Sequence, residues 1–167
     1  MDRTKCFIIA ELSANHGGDI NIAIETIRAA KRAGADAIKL QTYTADTITL
    51  NSEKDCFKIN QGTHWDGQYL YDLYKEAALP WQWHEKLFKV AKEEGLICFS
   101  SPFDFTAVDF LEELNCPIYK IASFEITDIP LIEYVASKGK PVIISTGIAE
   151  IQDIELAISA CKSQGNN

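Results

Sequence analysis

Along this chain, short apolar runs alternate with longer stretches in which apolar positions recur every three or four residues. The run FIIAEL (7–12) reads as a strand. DINIAIETIRAAKRAG (19–34) follows, with Ile20, Ile24, Ile27 and Ala30 at helical spacing, Asp19 as N-cap and Gly34 as the stop. Strand AIKLQTY (37–43) comes next. Residues 44–66 show no clear period and run into GTHWDG. Helices are predicted over about 68–78 and 81–94, the second closing at Gly95. Strand LICFSS (96–101) then precedes helix DFTAVDFLEELN (104–115), capped by Asp104. Strand IYKIAS (118–123) leads to DIPLIEYVASKG (128–139), with Asp128 as cap and Pro130 in the first turn. Strand PVIISTG (141–147) leads to a last helix over about 150–163 and a tail expected to fray.

The pattern is five repeats of strand then helix. The strand runs are short, rich in Ile and Val, and read as buried on both faces, as parallel strands are. A doubly wound sheet usually carries a Gly-rich phosphate loop after its first strand. NHGGD (15–19) is not that motif. The predicted class is α/β, a TIM (β/α)8 barrel of which only about the first five βα units are present. A complete barrel takes about 250 residues, and this chain has 167. Five strands cannot close, and both edges would be left unpaired. Residues 1–167 are therefore expected to be the N-terminal portion of a longer barrel domain, or one of two copies that complete each other.

Lysines interrupt two of the apolar runs, Lys39 in AIKLQTY and Lys120 in IYKIAS. Side chains alternate across a strand. Lys39, Gln41 and Tyr43 therefore share a face, opposite Ile38 and Leu40, which should meet the helices. The same parity sets Glu11 with Ile9 and Phe7, Ser101 with Phe99, Lys120 with Ala122, and Ser145 with Ile143; Ser123 ends the fourth strand. All these polar residues come late in their strands, where barrels place their chemistry. Glu11, Lys39, Gln41, Ser101, Lys120 and Ser145 should converge on one cavity. Two ammonium groups and two hydroxyls suit a phosphate or a carboxylate, and a bound dianion would offset the several kcal/mol that an uncompensated buried ammonium costs. A structural alternative pairs Lys39 and Lys120 with Glu11 and Glu125 in an ion network.

Net charge is −8, which argues against nucleic-acid binding as the main task. No apolar run approaches the roughly 20 residues of a membrane span. The apolar stretch after the basic N-terminus runs straight into Glu11, unlike a signal peptide. The five cysteines are odd in number, widely spaced and without a C-x-x-C pair. They read as reduced thiols of a cytoplasmic protein, with Cys6, Cys98 and Cys116 as small hydrophobes in or beside strands. His64 and His84 lack zinc-ligand spacing, and His16 is expected to hydrogen-bond locally. The tryptophans and tyrosines between 65 and 83 read as packing, although Trp65 lies in a long loop of the kind that is often functional.

FIIAELSANHGGDINIAIETIRAAKRAGADAIKLQTYTADTITL resembles the start of the sialic acid synthase family. FSSPFD, YKIASFEITDIPLI, KPVIISTG and GTHWDGQYLYDLYKEAALPWQWH continue the likeness over about residues 7–160. The last stretch, with LQTYTADT, is most similar to the pseudaminic acid synthase branch. The resemblance implies condensation of phosphoenolpyruvate with an N-acetylated amino sugar, a TIM-barrel catalytic domain, a divalent manganese or magnesium ion, and a C-terminal antifreeze-like domain within a homodimer. It implies phosphoenolpyruvate ligation by Lys39, Ser101, Lys120, Ser123 and Ser145. Gln41 and Glu11 would position substrate, Glu11 on the sugar, and Glu125 would lie beside the reacting carbons. The family's metal-binding histidines belong to later strands, so the chain by itself is expected to lack the metal site and to be inactive. Two other classes stay open: an aldolase using lysine as a Schiff base, and a noncatalytic anion-binding module.

Overall fold

The structure, a computed structural model, describes residues 5–167. The first four residues, which open the stretch weighed as a leader, lie outside the described residues. Five strands form one sheet: β1 (Ile9–Glu11), β2 (Ala37–Thr42), β3 (Ile97–Pro102), β4 (Tyr119–Ile121) and β5 (Val142–Ile144). All neighbours are parallel, in the sequential order β1-β2-β3-β4-β5. Sequential order marks a barrel arc, whereas a doubly wound sheet reverses direction partway. The helices are α1 (Ile20–Arg32), α2 (Ala45–Ile48), α3 (Leu70–Ala77), α4 (Trp81–Glu93), α5 (Phe105–Glu113), α6 (Ile129–Ser137) and α7 (Ile151–Ser163). The chain is a curled half-barrel, the first five βα units of the (β/α)8 architecture.

Local chemistry fixes the helix ends where the sequence placed them. Asp19 accepts from the Asn21 N–H at 2.7 Å, Asp104 from Thr106 and Ala107 at 2.7 and 3.1 Å, and Asp128 from Leu131 at 3.1 Å. Gly95 ends α4 at φ +70°, a left-handed conformation that glycine adopts without a Cβ clash. The outer face of the sheet is the core. Ile38 and Leu40 pack with Ile24, Ile27, Leu87 and Ala91 of α1 and α4, all buried. Tyr119 and Ile121 pack with Leu111, Ile132 and Val135 of α5 and α6. Each such aliphatic side chain contributes about 2 kcal/mol by leaving water.

Three expectations need correction. β1 and β5 are not buried on both faces: their residues are half-buried or exposed, because they are the unpaired edges of the arc. Cys98 and Cys116 are buried, but Cys6 is exposed, since it precedes β1 rather than lying inside the sheet. The tail does not fray. The Asn166 side chain donates to the Ala136 and Lys140 carbonyls at 3.2 and 2.8 Å, which pins it to the end of α6. The stretch without a clear period contains α2 and a short 3-10 turn at Asp55–Phe57.

Candidate active site

The register carries the polar residues to one level of the inner face. Glu11 pairs with Lys39, and Gln41 with Ser101. Ser100 pairs with Tyr119, which sets Ser101 alongside Lys120, and Lys120 pairs with Ile143. β4 and β5 end earlier than expected, so Ser123 and Ser145 stand just past their strands. The Ser145 N–H still donates to the Ile121 carbonyl at 3.0 Å. Ser123 lies close to the loop past β5: a Cβ on Gly147 would lie 3.4 Å from the Ser123 Cβ. Glu125 opens a 3-10 turn, Glu125–Thr127, anchored by the fully buried Ile126.

The two lysines differ in their partners. Lys39 Nζ meets Glu11 Oε1 at 2.5 Å, with the lysine largely buried and the glutamate half in solvent. Lys120 Nζ donates to the Ile121 carbonyl at 2.8 Å and to Ser145 Oγ. It meets no carboxylate within ion-pair distance among the described residues. Half of the structural ion network is therefore present, Lys39 with Glu11, and the other half, Lys120 with Glu125, is not. Burial pulls the Lys120 ammonium below the ordinary lysine range, and the positive charge of Lys39 pulls it the same way, against Glu11 and Glu125. Burial pushes the Glu125 carboxyl up, and Asp128 adds to this against the backbone N–H of Glu125 and Lys120. Ser101 Oγ and Glu125 Oε2 are buried with no hydrogen-bond partner. Gln41 accepts a long contact, 3.5 Å, from the Ser13 hydroxyl. Among the described residues the result is a face with one ammonium outside ion-pair distance of any carboxylate, an unpartnered hydroxyl and a carboxyl whose pKa burial raises. Such a face can take an anion and move a proton beside it.

The remaining candidates fall elsewhere. Tyr43, one residue past β2, packs edge-on against Tyr74 and Phe103. His16 bonds locally, accepting from the Gly18 N–H at 3.1 Å, and its Nε2 also reaches the Ala77 carbonyl at 3.3 Å. Asp104 acts as a helix cap. Trp81 stacks on Phe110 and Trp83 lies edge-on to His16. Trp65 is the exception: it is 42% exposed and lines, with His64 and Gly18, a cavity of about 460 Å³. Among the described residues no three His, Cys, Asp or Glu side chains are grouped as an ion would require. No helix there is long and apolar enough to cross a membrane. Sequence reasoning missed a buried chain of His84, Thr42 and Ser100 on the outer face, each fully buried. A signal existed in the hydroxyls of Thr42 and Ser100 at positions that parity assigns to the helix side.

Lysines and hydroxyls gathered at the C-terminal ends of sequential parallel strands make this a partial TIM barrel with a candidate anion-binding face. Comparison with known proteins gives the particular lineage: the chain belongs to the NeuB family, whose model matches residues 26–167. It is 53% identical to the pseudaminic acid synthase of Helicobacter pylori over 95% of this chain and 46% of that protein. It is 39% identical to the N,N'-diacetyllegionaminic acid synthase of Legionella pneumophila over 97% of this chain and 45% of that one. Among solved structures, the N-acetylneuraminic acid synthetase of Leptospira borgpetersenii superposes with a TM-score of 0.81 at 34% identity, over 96% of this chain and 51% of that one. The chain thus spans about half the length of the curated relatives it matches.

Proposed function

We propose that this chain is the phosphoenolpyruvate-binding half of a nonulosonic acid synthase, with a pseudaminic acid synthase-like substrate, a 2,4-diacetamido-2,4,6-trideoxy-altrose. The observation that carries the reading is Lys120: a half-buried ammonium without a carboxylate, next to Lys39, Ser145 and the unpartnered Ser101 hydroxyl. The 53% identity to a pseudaminic acid synthase, against 39% to a legionaminic acid synthase, favours the altrose over the legionaminate and sialate precursors.

In this reading Lys39, Lys120, Ser101, Ser123 and Ser145 hold the phosphate and carboxylate of phosphoenolpyruvate. Orientation of that kind can lower a barrier by several kcal/mol. C3 of phosphoenolpyruvate attacks the sugar's open-chain aldehyde, water adds at C2, and phosphate leaves with cleavage of the C–O bond. Glu11 and Gln41 position the sugar. Glu125, its pKa raised by burial, moves a proton to or from the water or the intermediate. A divalent manganese or magnesium ion would act as a Lewis acid on the aldehyde, but the described residues of this chain do not supply a ligand set for it. Its ligands, the antifreeze-like domain and the homodimer partner belong to the proposal. The free thiols suit the cytoplasmic setting the reading requires.

The test is calorimetric titration of the chain with phosphoenolpyruvate, followed by phosphate-release assays with the altrose and with N-acetylmannosamine. Binding of phosphoenolpyruvate by the chain supports the reading, and turnover of the altrose is expected only of a longer protein that also carries the metal ligands. Borohydride trapping of pyruvate on Lys39 or Lys120 would replace it with a Schiff-base aldolase. Binding by the chain with no turnover even in a longer protein that carries the metal ligands would leave an anion-binding module.

A further inference from the structure

Between the sheet and α4 the core is apolar except at one place. Thr42 Oγ1 lies 2.7 Å from Ser100 Oγ and 2.9 Å from His84 Nε2, and His84 Nδ1 lies 3.3 Å from the Pro80 carbonyl. The Pro80 carbonyl at its end gives the chain a direction in the tautomer that donates from Nδ1. A carbonyl only accepts, so Nδ1 carries the proton. Nε2 then accepts from Thr42, whose oxygen accepts from Ser100. Burial lowers the imidazole pKa to about 4, against backbone hydrogen bonds with Pro80, Trp81 and Gln41, so the ring stays neutral across ordinary pH.

The position of this chain matters. Thr42 follows Gln41 directly, and Ser100 precedes Ser101 directly. Gln41 and Ser101 are register partners on the inner face. The same ladder stops one step later, at Thr42 opposite Pro102, and proline has no N–H to contribute. Apolar packing there would be as cohesive but without direction. A fully satisfied polar network adds directional constraint to a core. The side-chain links therefore do at the strand ends what the backbone ladder no longer does, and they tie both ends to the N-terminus of α4 through Pro80.

We propose that His84, Thr42 and Ser100 are positioning residues: an outer-face relay that fixes where Gln41 and Ser101 stand on the inner face. As an effect on ligand binding, this rests on the proposed phosphoenolpyruvate site; as an effect on Gln41 itself, it does not.

The experiment uses four variants of the chain with two readouts, the side-chain amide resonance of Gln41 without ligand and the affinity for phosphoenolpyruvate. His84→Leu removes the acceptor. His84→Gln retains an amide oxygen that can accept from Thr42. Thr42→Val removes the hydroxyl at nearly constant shape. Val90→Ala destabilises α4 in the same layer without touching the relay. The expected result is a displaced or broadened Gln41 resonance in His84→Leu, with affinity down about tenfold in both His84→Leu and Thr42→Val. His84→Gln should restore both readouts towards wild type, and Val90→Ala should leave both unchanged. The proposal is overturned if His84→Leu lowers stability but leaves the Gln41 resonance in place, or if Val90→Ala changes both readouts as much as His84→Leu does. Should the unaltered chain not bind phosphoenolpyruvate, the proposed function fails, while the Gln41 resonance alone still decides for or against the relay.

Discussion

The two faces of the same strands treat polar groups in opposite ways. On the outer face His84, Thr42 and Ser100 are fully buried, and each has a partner. On the inner face Ser101 Oγ and Glu125 Oε2 are buried without one among the described residues, and Lys120 meets no carboxylate there within ion-pair distance. Buried polar groups in folded proteins are nearly always satisfied. A satisfied set is part of the architecture, and an unsatisfied set at a strand end marks where a ligand supplies what the chain does not. Ser100 and Ser101 are neighbours in sequence with the same side chain and nearly the same burial. The face each one points to separates their roles.

The strongest way to break this contrast is at Lys120. Lys120→Met should abolish measurable phosphoenolpyruvate binding, an effect of about a thousandfold or about 4 kcal/mol. Stability should hold or rise, because a half-buried ammonium is removed from a site where it has no counter-ion. Calorimetry together with denaturant unfolding checks both halves. A large loss of stability with intact binding would make Lys120 structural.

Next in size is acid sensitivity of the outer face. The pKa of His84 falls from 6.5 to about 4 on folding, mainly through burial. The unfolded chain therefore binds the extra proton first, and stability is lost as pH falls from 6.5 towards 4. The full span corresponds to about 3 kcal/mol. Urea unfolding at pH 7 and pH 4.5 should show most of that decline in the wild type. His84→Gln should remove the His84 share of it.

The adjacent serines give the sharpest comparison. Ser100→Ala should cost about 1–2 kcal/mol of stability, since it breaks a satisfied buried chain. Ser101→Ala should leave stability unchanged or raise it by up to about 1 kcal/mol, since it removes an unpartnered hydroxyl. Affinity for phosphoenolpyruvate should follow the opposite order, with Ser101→Ala losing more. Equal stability losses in the two variants would end the distinction between the faces. The smallest effect is expected at Glu125→Gln. Burial disfavours the charged carboxyl there, so the neutral isostere should change stability by less than about 0.5 kcal/mol, read by thermal unfolding.

Much of the inner face was legible before any coordinates. Parity within KLQ and YKI put Lys39, Gln41 and Lys120 opposite the residues that meet the helices, because a strand's period of two leaves no other arrangement. Helix caps at Asp19, Asp104 and Asp128 were legible because each bonds to its own neighbours. What was not legible depended on distant segments. Whether Lys120 would meet Glu125 turned on the course of a 3-10 turn, and the chain places the two within electrostatic reach without an ion pair. His84 was weighed only as a zinc ligand, and its role in the relay was hidden because Thr42 and Ser100 lie 42 and 58 residues from their partners there. Trp65 did not reveal from its loop composition that it would border a cavity with the Gly17–Gly18 turn.

By itself, then, the sequence determined the alternation of strand and helix, the helix ends, and which side of each strand carries charge. These follow from periodicity and from hydrogen bonds between near neighbours. Tertiary structure alone decided which polar groups are satisfied. A partner is a matter of distance in space, set by the register between strands and by the packing of α4 and the post-β4 turn against them. The same hydroxyl is a structural link on one face and an open ligand position on the other.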